Sequence, residues 1–306
     1  MSASRAKPFD DRDGVIWVDG HLVEWRAARI HILTHGLHYA SCVYEGERSY
    51  GGTVFKLAEH TARLFASAKA LDLTVPFSKE AVKRATQETV NANGLIDGYI
   101  RPIIWRGSER ISTSARDSSI HVAISCWPWP RYYDPDAQII GIRLGVAHWR
   151  RPPPSCTPFH AKASSHYMTA TLNKHRAEAD GYDDALVLDW RGQLSEATSA
   201  NIFLVQGDEL HTPLPDCFLD GITRQTVLSL ARELGYTVVE RPIFPNECKT
   251  FSEAFLTSTA AEICPVREIA GVTFSAGAVS QSIVEAYQKE TRRAHIEAAH
   301  MAYHEA

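Results

Sequence analysis

An irregular, Pro-rich stretch near the middle of the chain is the feature that most constrains its architecture. Residues 127–138 read WPWPRYYDPDAQ, and segments patterned like strands and helices lie on both sides. No other stretch without periodicity is as long, which indicates a connection between folded units. A chain of 306 residues is long enough for two domains. We therefore expect an N-terminal domain at 1–128, a linker at 129–140 and a C-terminal domain at 141–306.

The N-terminal half has the pattern of an α+β layer. The segment GVIWVDGHLVEW reads as a hairpin that turns at Asp19-Gly20, and KLAEHTARLFASAKAL has apolar residues on one helical face. A second helix is predicted to begin after Ser78 as N-cap and to end before Gly94. The strand-like runs YIRPIIWRG and IHVAISCW follow. This order predicts helices that cover one face of a sheet.

The C-terminal half reads as a strand-rich core with helices packed outside. Helices are predicted from about Ser165 to Asp180, over GITRQTVLSLARELG, and around VSQSIVEAYQKETRR near the C-terminus. Strands are predicted at GIRLGVAHW, DALVLDW, NIFLV, TVVERPI and EAFLTST. The Pro-rich loop RRPPPSCTP precedes the first of these helices.

Composition favours a small solute as the partner. The formal charge of −4 gives no electrostatic reason to expect nucleic acid or an anionic membrane. No apolar run approaches the roughly 18 residues that span a bilayer, and the N-terminus lacks the apolar core of a signal peptide. We expect a cytoplasmic protein. Its six cysteines show no CxxC spacing, so we interpret them as reduced thiols, most of them buried.

Two side chains of the C-terminal half could carry chemistry. Lys162 follows the Pro-rich loop, and a lysine held in a dry crevice can act as a nucleophile. Glu196, within QLSEATSANIF, could face a cationic heterocycle such as the pyridinium ring of pyridoxal phosphate. Taken alone, each residue is more ordinarily explained as a solvated lysine or a surface carboxylate.

Two backbone segments suit a phosphate group. Gly221, Ile222 and Thr223 open a predicted helix, whose first amides and positive dipole end attract anions. Ser258 and Thr259 end a predicted strand ahead of small alanines, although an ordinary helix N-cap explains this segment equally well. A lysine, a loop carboxylate and two phosphate-binding segments in one domain are together the components of a pyridoxal phosphate site.

The order of these motifs resembles that of the branched-chain amino acid aminotransferases of PLP fold type IV. The motifs are HGLHYASCVYEGER, EHTARL, YIRPIIWRGSE, the Lys162 segment, SEATSANIF, PDCFLDGITRQTV and TSTAAEI, and they cover nearly the whole chain. The resemblance implies the two-domain architecture of the D-amino acid aminotransferase type. In that architecture a smaller N-terminal α+β sandwich precedes a larger C-terminal pseudo-barrel.

The resemblance implies a cofactor role for each matching residue. Lys162 would carry the cofactor covalently and shuttle a proton between substrate and cofactor. Glu196 would hold the pyridine nitrogen protonated, Tyr167 would bind the phenolic oxygen, and Arg63 would pair with the phosphate. The rest of the phosphate site would comprise Gly221, Ile222, Thr223, Ser258 and Thr259.

The resemblance also implies a substrate pocket. Its apolar wall would comprise Tyr39, Tyr44, Ile111, Thr113 and Trp129, and its carboxylate-binding groups would be Tyr99, Arg101 and the amides of Ala260 and Ala261. In the family, an arginine after the letters YI receives the distal carboxylate of glutamate, which would let one pocket accept aliphatic and acidic substrates. The alternative for Arg101 is a surface ion pair.

The implied activity is ping-pong exchange of the amino group between leucine, isoleucine or valine and 2-oxoglutarate, in at least a homodimer. Three segments depart from the family pattern: RISTSARDSS replaces a Gly-Met-Gly-like turn, KASSHY lacks a glycine, and the loop after Glu196 is not glycine-rich. A relative that acts on D-amino acids or (R)-amines would also fit. A lyase that releases pyruvate from a chorismate-derived amine and a non-catalytic vitamin-B6-binding protein are further alternatives.

A metal centre is not expected. His31, His35 and His38 include a helical i, i+4 pair, but the chain has no H-E-x-x-H motif. It has no GxGxxG or P-loop motif either, so a nucleotide enzyme is not indicated. The C-terminal letters RRAHIEAAHMAYHEA are predicted to form a charged, solvated helical tail.

Overall fold

A computed structural model of the chain describes residues 7–129, 132–133 and 139–304, with side chains up to residue 293. The chain forms two compact units. One comprises Met1–Trp129 together with Ala163–Ser165, and the other comprises Pro130–Lys162 together with His166–Ala306. Most of the predicted linker lies outside the described residues, so its bounds at 129–140 stay a prediction.

The described residues of the first unit form an antiparallel sheet and three helices. The strands are β1 Val15–Val18, β2 His21–Glu24, β3 Cys42–Tyr44, β4 Glu47–Tyr50, β5 Thr53–Val54, β6 Gly98–Arg106 and β7 Ile120–Pro128. They lie in the order β2-β1-β7-β6-β4-β5, and β3 also pairs with β6. The helices are α1 His35–Tyr39, α2 Leu57–Ala70 and α3 Lys79–Ala92. Because α2 and α3 pack on each other and on the sheet, the predicted α+β layer is confirmed.

Local sequence signals account for several of these elements. The β1–β2 hairpin turns at Asp19 and Gly20, which have φ angles of 47° and 102°, as a tight hairpin turn requires. The Ser78 side chain accepts a hydrogen bond from the amide of Ala81 and so caps α3. Both predictions are confirmed. The short strands β3, β4 and β5 were not predicted.

The second unit, over its described residues, is built on nine strands and three helices. Its strands are β8 Ile142–Val146, β9 Asp184–Leu188, β10 Leu194–Ala197, β11 Asn201–Gln206, β12 Glu209–Thr212, β13 Thr237–Glu240, β14 Glu253–Ser258, β15 Glu262–Ile269 and β16 Val272–Thr273. Its helices are α4 Tyr167–Ala179, α5 Ile222–Glu233 and α6 Ala278–His304. Six strands close a ring in the order β10-β9-β8-β15-β14-β11, because β11 pairs with β10 at Asn201 and Glu196. This ring confirms the predicted pseudo-barrel.

The barrel encloses an apolar core. Its fully buried side chains include Ile142, Leu144, Ile202, Leu204 and Leu256. All five residues of β9 are buried, which is why its sequence reads as a continuous apolar run without alternation. The strand β8 pairs in parallel with both β9 and β15.

Some local predictions were wrong or displaced. The segment at Ser258 does not cap a helix, because β14 ends there and a tight turn leads into β15 at Glu262. The helix expected from Ser165 begins at Tyr167, after a short 3₁₀ turn over Ser164–His166. The six cysteines are free thiols, and only Cys156 is exposed, as predicted. Among the described helices, none combines the length and apolarity that crossing a bilayer requires.

Candidate active site

The predicted nucleophile lies beside a tyrosine of the same unit. Lys162 precedes the 3₁₀ turn, and its Nζ donates a hydrogen bond of 2.8 Å to Oη of Tyr167. Tyr167 is the first residue of α4, so its backbone is fixed by the helix. The amine therefore has a defined position at the beginning of α4.

The predicted ring-binding carboxylate is buried and paired. Oε1 of Glu196 lies 2.7 Å from Nη2 of Arg151. Burial raises the pKa of Glu196, while the charges of Arg151 and Lys162 and the hydrogen bond from Arg151 oppose the rise. The positive charge of Lys162 thus acts on the carboxyl group of Glu196. A carboxylate can accept hydrogen bonds at both oxygens, so its pair with Arg151 is compatible with a second cationic partner.

The predicted phosphate end is joined to the barrel through Asn201. Its Oδ1 accepts a hydrogen bond of 3.2 Å from the amide of Gly221, the residue before α5. Ile222 and Thr223, in the first turn of α5, are buried. On the neighbouring strand, Thr257 lies opposite Asn201, and its buried Oγ1 makes no hydrogen bond among the described residues.

The turn between β14 and β15 holds the other predicted phosphate and carboxylate residues. Ser258 Oγ accepts a hydrogen bond of 3.1 Å from the amide of Ala261, so this turn is braced by its own serine. Thr259 and Ala260 lie between these two residues. The Ala261 amide, predicted to bind a substrate carboxylate, is therefore already engaged within the turn. Its role at a carboxylate stays a prediction.

Four of the predicted substrate residues come together on one face of the first unit's sheet. The guanidinium carbon of Arg101 lies 4.5 Å from the ring centre of Tyr44 and 5.3 Å from that of Tyr99. The rings of Tyr99 and Trp129 are 5.0 Å apart. An arginine flanked by aromatic faces is held by cation–π contacts, and Nη2 of Arg101 also donates a hydrogen bond of 3.4 Å to Oη of Tyr99.

The predicted phosphate-binding arginine is held by a buried carboxylate of the first unit. Arg63 donates to both oxygens of Glu45 over 2.6 and 2.8 Å, and Nδ1 of His60 lies 2.8 Å from Oε2 of the same carboxylate. Burial would raise the pKa of Glu45, but the Arg63 charge and the hydrogen bonds from Arg63 and His60 outweigh it and hold the pKa far below its usual value. The predicted pairing of Arg63 with a phosphate stays a prediction.

Tyr39, Ile111 and Thr113 are exposed in the first unit. The ring of Tyr39 stacks on His35 with centroids 4.4 Å apart. Nε2 of His35 lies 2.9 Å from the carbonyl oxygen of Ser112, so this histidine joins the loop of Ile111 and Thr113 to α1. His35, one of the three histidines considered for metal binding, therefore holds the neighbouring loop by a hydrogen bond.

Comparison with known proteins identifies the family. The sequence profile of the family described as "Amino-transferase class IV" matches residues 42–269. The chain belongs to the class IV aminotransferases. A "Probable branched-chain-amino-acid aminotransferase" of Rickettsia felis is 43% identical over 249 residues, which are 81% of this chain and 84% of that protein.

Two solved structures of branched-chain aminotransferases are similar to this one. The enzyme of Thermoproteus uzoniensis, solved with norvaline, has a TM-score of 0.86 and 38% identity, with 91% of this chain and 94% of that chain covered. A T.th. enzyme, complexed with N-(5'-phosphopyridoxyl)-L-glutamate, has a TM-score of 0.86 and 32% identity, with 92% and 94% covered. The family and its structures establish pyridoxal 5'-phosphate as the cofactor of this class IV aminotransferase.

The residues of the second unit fit that cofactor. A buried carboxylate suits a protonated pyridine nitrogen, and the amine of Lys162 suits a covalent link. A Cβ at Gly221 would lie 2.3 Å from Oδ1 of Asn201, so the chain approaches the barrel closely where the helix amides begin. The buried hydroxyl of Thr257 supplies a further polar atom at the same end. These groups match the three polar regions of pyridoxal phosphate.

Several residues of this aminotransferase were not predicted from sequence. Arg151 contacts Glu196, and Glu45 contacts Arg63. The two residues of each pair are too far apart in sequence for a helical spacing to predict their contact. The available signal was the basic pair Arg150-Arg151 ahead of the Pro-rich loop. Glu45 is the charged residue that directly follows the apolar strand Cys42–Tyr44.

Proposed function

We propose that this class IV aminotransferase moves the amino group of leucine, isoleucine or valine to 2-oxoglutarate by a ping-pong mechanism. The observation that carries the proposal is the placement of Lys162 Nζ 2.8 Å from Tyr167 Oη, in the same unit as the buried pair of Glu196 and Arg151. The names of the similar proteins support the substrate class. The arginine between two tyrosines supports the acidic acceptor.

In this proposal the cofactor is held at both ends by the chain. Glu196 would pair with the pyridine nitrogen, and Tyr167 would donate to the phenolic oxygen. The phosphate would be bound by Arg63 and by the segments around Gly221 to Thr223 and Ser258 to Thr259. Pyridoxal phosphate, when bound, supplies an electron sink that stabilises negative charge at the substrate Cα.

Lys162 acts as the general base and acid in the proposed reaction. Its Nζ, when neutral, would take the proton from the substrate Cα and deliver it to C4′ of the cofactor. Tyr167 limits the movement of Nζ between these transfers because it hydrogen-bonds the same atom.

Substrate recognition is assigned to the first unit. Tyr44, Tyr99 and Trp129 offer aromatic surface to an aliphatic side chain, and Arg101 offers a bidentate site to the distal carboxylate of glutamate. The remaining proposed substrate contacts are Tyr39, Ile111, Thr113, Ala260 and Ala261. The similar structures with norvaline and with a glutamate adduct support one pocket for both kinds of side chain.

We also propose that the enzyme is cytoplasmic and at least a homodimer. The segment from Ile30 to Tyr39 exposes five large apolar side chains, with Ile32 72% and Leu37 57% accessible. Such a cluster on an exposed segment is typical of an interface. Sedimentation of the holoenzyme tests the oligomeric state, and a monomer at micromolar concentration would contradict it.

The half-reaction with a single donor tests the activity. Purified holoenzyme is mixed separately with L-leucine, D-alanine and (R)-1-phenylethylamine, and the absorbance of the bound cofactor is followed. We expect L-leucine to convert the cofactor to its amine form and 2-oxoglutarate to restore the starting spectrum. Conversion by only the D-amino acid or the amine would show that the protein is a transaminase but that leucine is not its substrate.

A matched variant tests the role of Lys162. Lys162→Ala should abolish turnover while the apoprotein still unfolds cooperatively, because a part-exposed lysine contributes little to stability. The variant Lys174→Ala, on α4 of the same unit, is the control for loss of an amine. Retained turnover in Lys162→Ala would refute the assignment.

A further inference from the structure

His166 joins two points of the loop that leads to Lys162. Its Nε2 lies 2.7 Å from Oγ1 of Thr157, and the ring also hydrogen-bonds the backbone of Ala161. Ala161 directly precedes Lys162, and His166 directly precedes Tyr167. A single imidazole therefore contacts both ends of the segment 157–161 and adjoins the tyrosine that hydrogen-bonds the lysine.

The contacts of this ring can be made by one donor and one acceptor. A neutral imidazole has one N–H and one bare nitrogen, so it can donate to the Ala161 carbonyl and accept from the Thr157 hydroxyl. Burial lowers the pKa of His166, and the Arg151 charge lowers it further against the opposing bond to Ala161. The lowered pKa favours the neutral ring, which can bond both partners.

The surrounding backbone is also fixed. The amide of Ala161 donates to the carbonyl of Pro158 over 2.9 Å, and that of Phe159 donates to the carbonyl of Thr157 over 2.8 Å. Ala161 is 1% exposed. The loop is thus a compact turn, and the His166 side chain ties it to the beginning of α4.

We propose that His166 is a positioning residue that sets the separation of Lys162 Nζ and Tyr167 Oη by bracing the loop that carries the lysine. The inference rests on the proposed function, since it assigns His166 a part in placing the proposed base. His166 acts only through its neighbours: one neighbour in sequence is the tyrosine, and one hydrogen-bond partner is the residue before the lysine. No step of the proposed mechanism uses His166 or Thr157 directly.

The test compares His166→Ala and Thr157→Val with Tyr167→Phe in the holoenzyme. Three quantities are measured: the pH midpoint at which the bound cofactor's absorbance changes, the Kd of the apoprotein for pyridoxal phosphate, and kcat and KM with L-leucine. We expect both bracing variants to shift the pH midpoint in the same direction as Tyr167→Phe. We expect kcat for His166→Ala to fall by about tenfold to 100-fold, as small displacements of a reacting group do, with KM within about twofold of wild type.

Two further variants separate positioning from general damage. Thr157→Ser retains the hydroxyl and should recover the wild-type midpoint. Thr171→Val removes a hydroxyl from α4 that bonds only the Tyr167 carbonyl among the described contacts, and it should leave the midpoint unchanged. If His166→Ala does not fold, Thr157→Val carries the test, because it removes one hydroxyl and keeps the shape of the side chain.

The double variant His166→Ala with Tyr167→Phe shows whether His166 acts through Tyr167. If His166 acts by placing Tyr167 against Lys162, His166→Ala should cause no further shift of the midpoint in the Tyr167→Phe background. A full additional shift, or a wild-type midpoint and kcat in His166→Ala, would overturn the proposal. Failure of the proposed function is distinguishable, because wild-type protein would then show no conversion by L-leucine.

Discussion

Arg151 donates from Nη2 to Oε1 of Glu196 over 2.7 Å, and their side chains are only 15% and 7% exposed. A pair so far removed from water stabilises each partner against the cost of burying a charge. The arginine precedes the Pro-rich loop and the carboxylate lies on the barrel strand β10, so the pair also joins this loop to the barrel.

We expect Arg151→Met to lower the free energy of unfolding of the apoprotein by about 3 kcal/mol or more, because the variant leaves the Glu196 charge buried without its partner. The double variant Arg151→Met with Glu196→Gln should be less destabilised than Arg151→Met alone. Urea denaturation of the three proteins measures both effects. Equal midpoints for Arg151→Met and wild type would show that the pair contributes nothing.

The stability of the first unit should depend on pH through Glu47, a carboxyl buried on β4. Burial raises its pKa well above 4.5, the Glu45 charge adds to the rise, and the Arg63 charge opposes it. The stabilising contribution of the protonated group is complete below the unfolded pKa and is lost as pH rises through the higher folded pKa. Between the two pKa values the loss is about 1.4 kcal/mol per pH unit.

Glu47→Gln should therefore become more stable relative to wild type as the pH rises, because the amide stays neutral. Thermal unfolding between about pH 5 and pH 9 measures this difference. The matched control is Glu88→Gln, an exposed position on α3, whose difference from wild type should not change with pH. A pH-independent difference for Glu47→Gln would contradict the prediction.

Gly221→Ala should weaken cofactor binding and destabilise the apoprotein by about 1–3 kcal/mol, because the new Cβ overlaps Oδ1 of Asn201 at a separation of 2.3 Å. The φ of Gly221 is −65°, so the effect comes from this contact and not from backbone strain. Adding Asn201→Ala removes the overlapping atom and should recover part of the affinity for pyridoxal phosphate. Fluorescence titration of the apoproteins measures this, and unchanged affinity in Gly221→Ala would contradict the close approach.

Arg101→Met should separate the two half-reactions. Loss of a charged hydrogen-bond donor should lower kcat/KM for 2-oxoglutarate by about 10-fold to 100-fold, while the half-reaction with L-leucine changes much less. Stopped-flow measurement of each half-reaction tests this difference. Arg48→Met, on the neighbouring strand β4, is the matched control for loss of a guanidinium. Equal losses of rate in both half-reactions would show that Arg101 does not recognise 2-oxoglutarate specifically.

Elements with strong local signals were predictable from sequence. The hairpin at Asp19-Gly20 has its turn residues at the required positions, and α3 has a capping serine and an apolar face. The short strands β3 to β5 lack such signals because they contain two to four residues. The buried carboxyl group of Glu47 also interrupts the expected apolar pattern, so only its tertiary environment explains its position.

Only some residues of the candidate site were predictable from sequence. Lys162, Tyr167 and Glu196 could be proposed because their motifs occur in a known order, and the structure places Lys162 against Tyr167. Arg151 could not, because its partner is 45 residues away and no spacing rule joins them. His166 was overlooked for a similar reason: its contacts depend on how the Pro-rich loop turns back toward α4.

The parallel pairing of β8 with β15 limits when this enzyme can acquire its cofactor during synthesis. Ile142 pairs with Val266, so β8, from the middle of the chain, cannot form this pairing until β15, near the end of the chain, has been synthesised. Pairing between such distant segments forms late, after the intervening chain has been ordered or held aside. A nascent chain that has exposed Lys162 but not Glu262–Ile269 therefore has its lysine without a closed barrel around it. Cofactor loading on the ribosome should accordingly begin only after that strand has emerged.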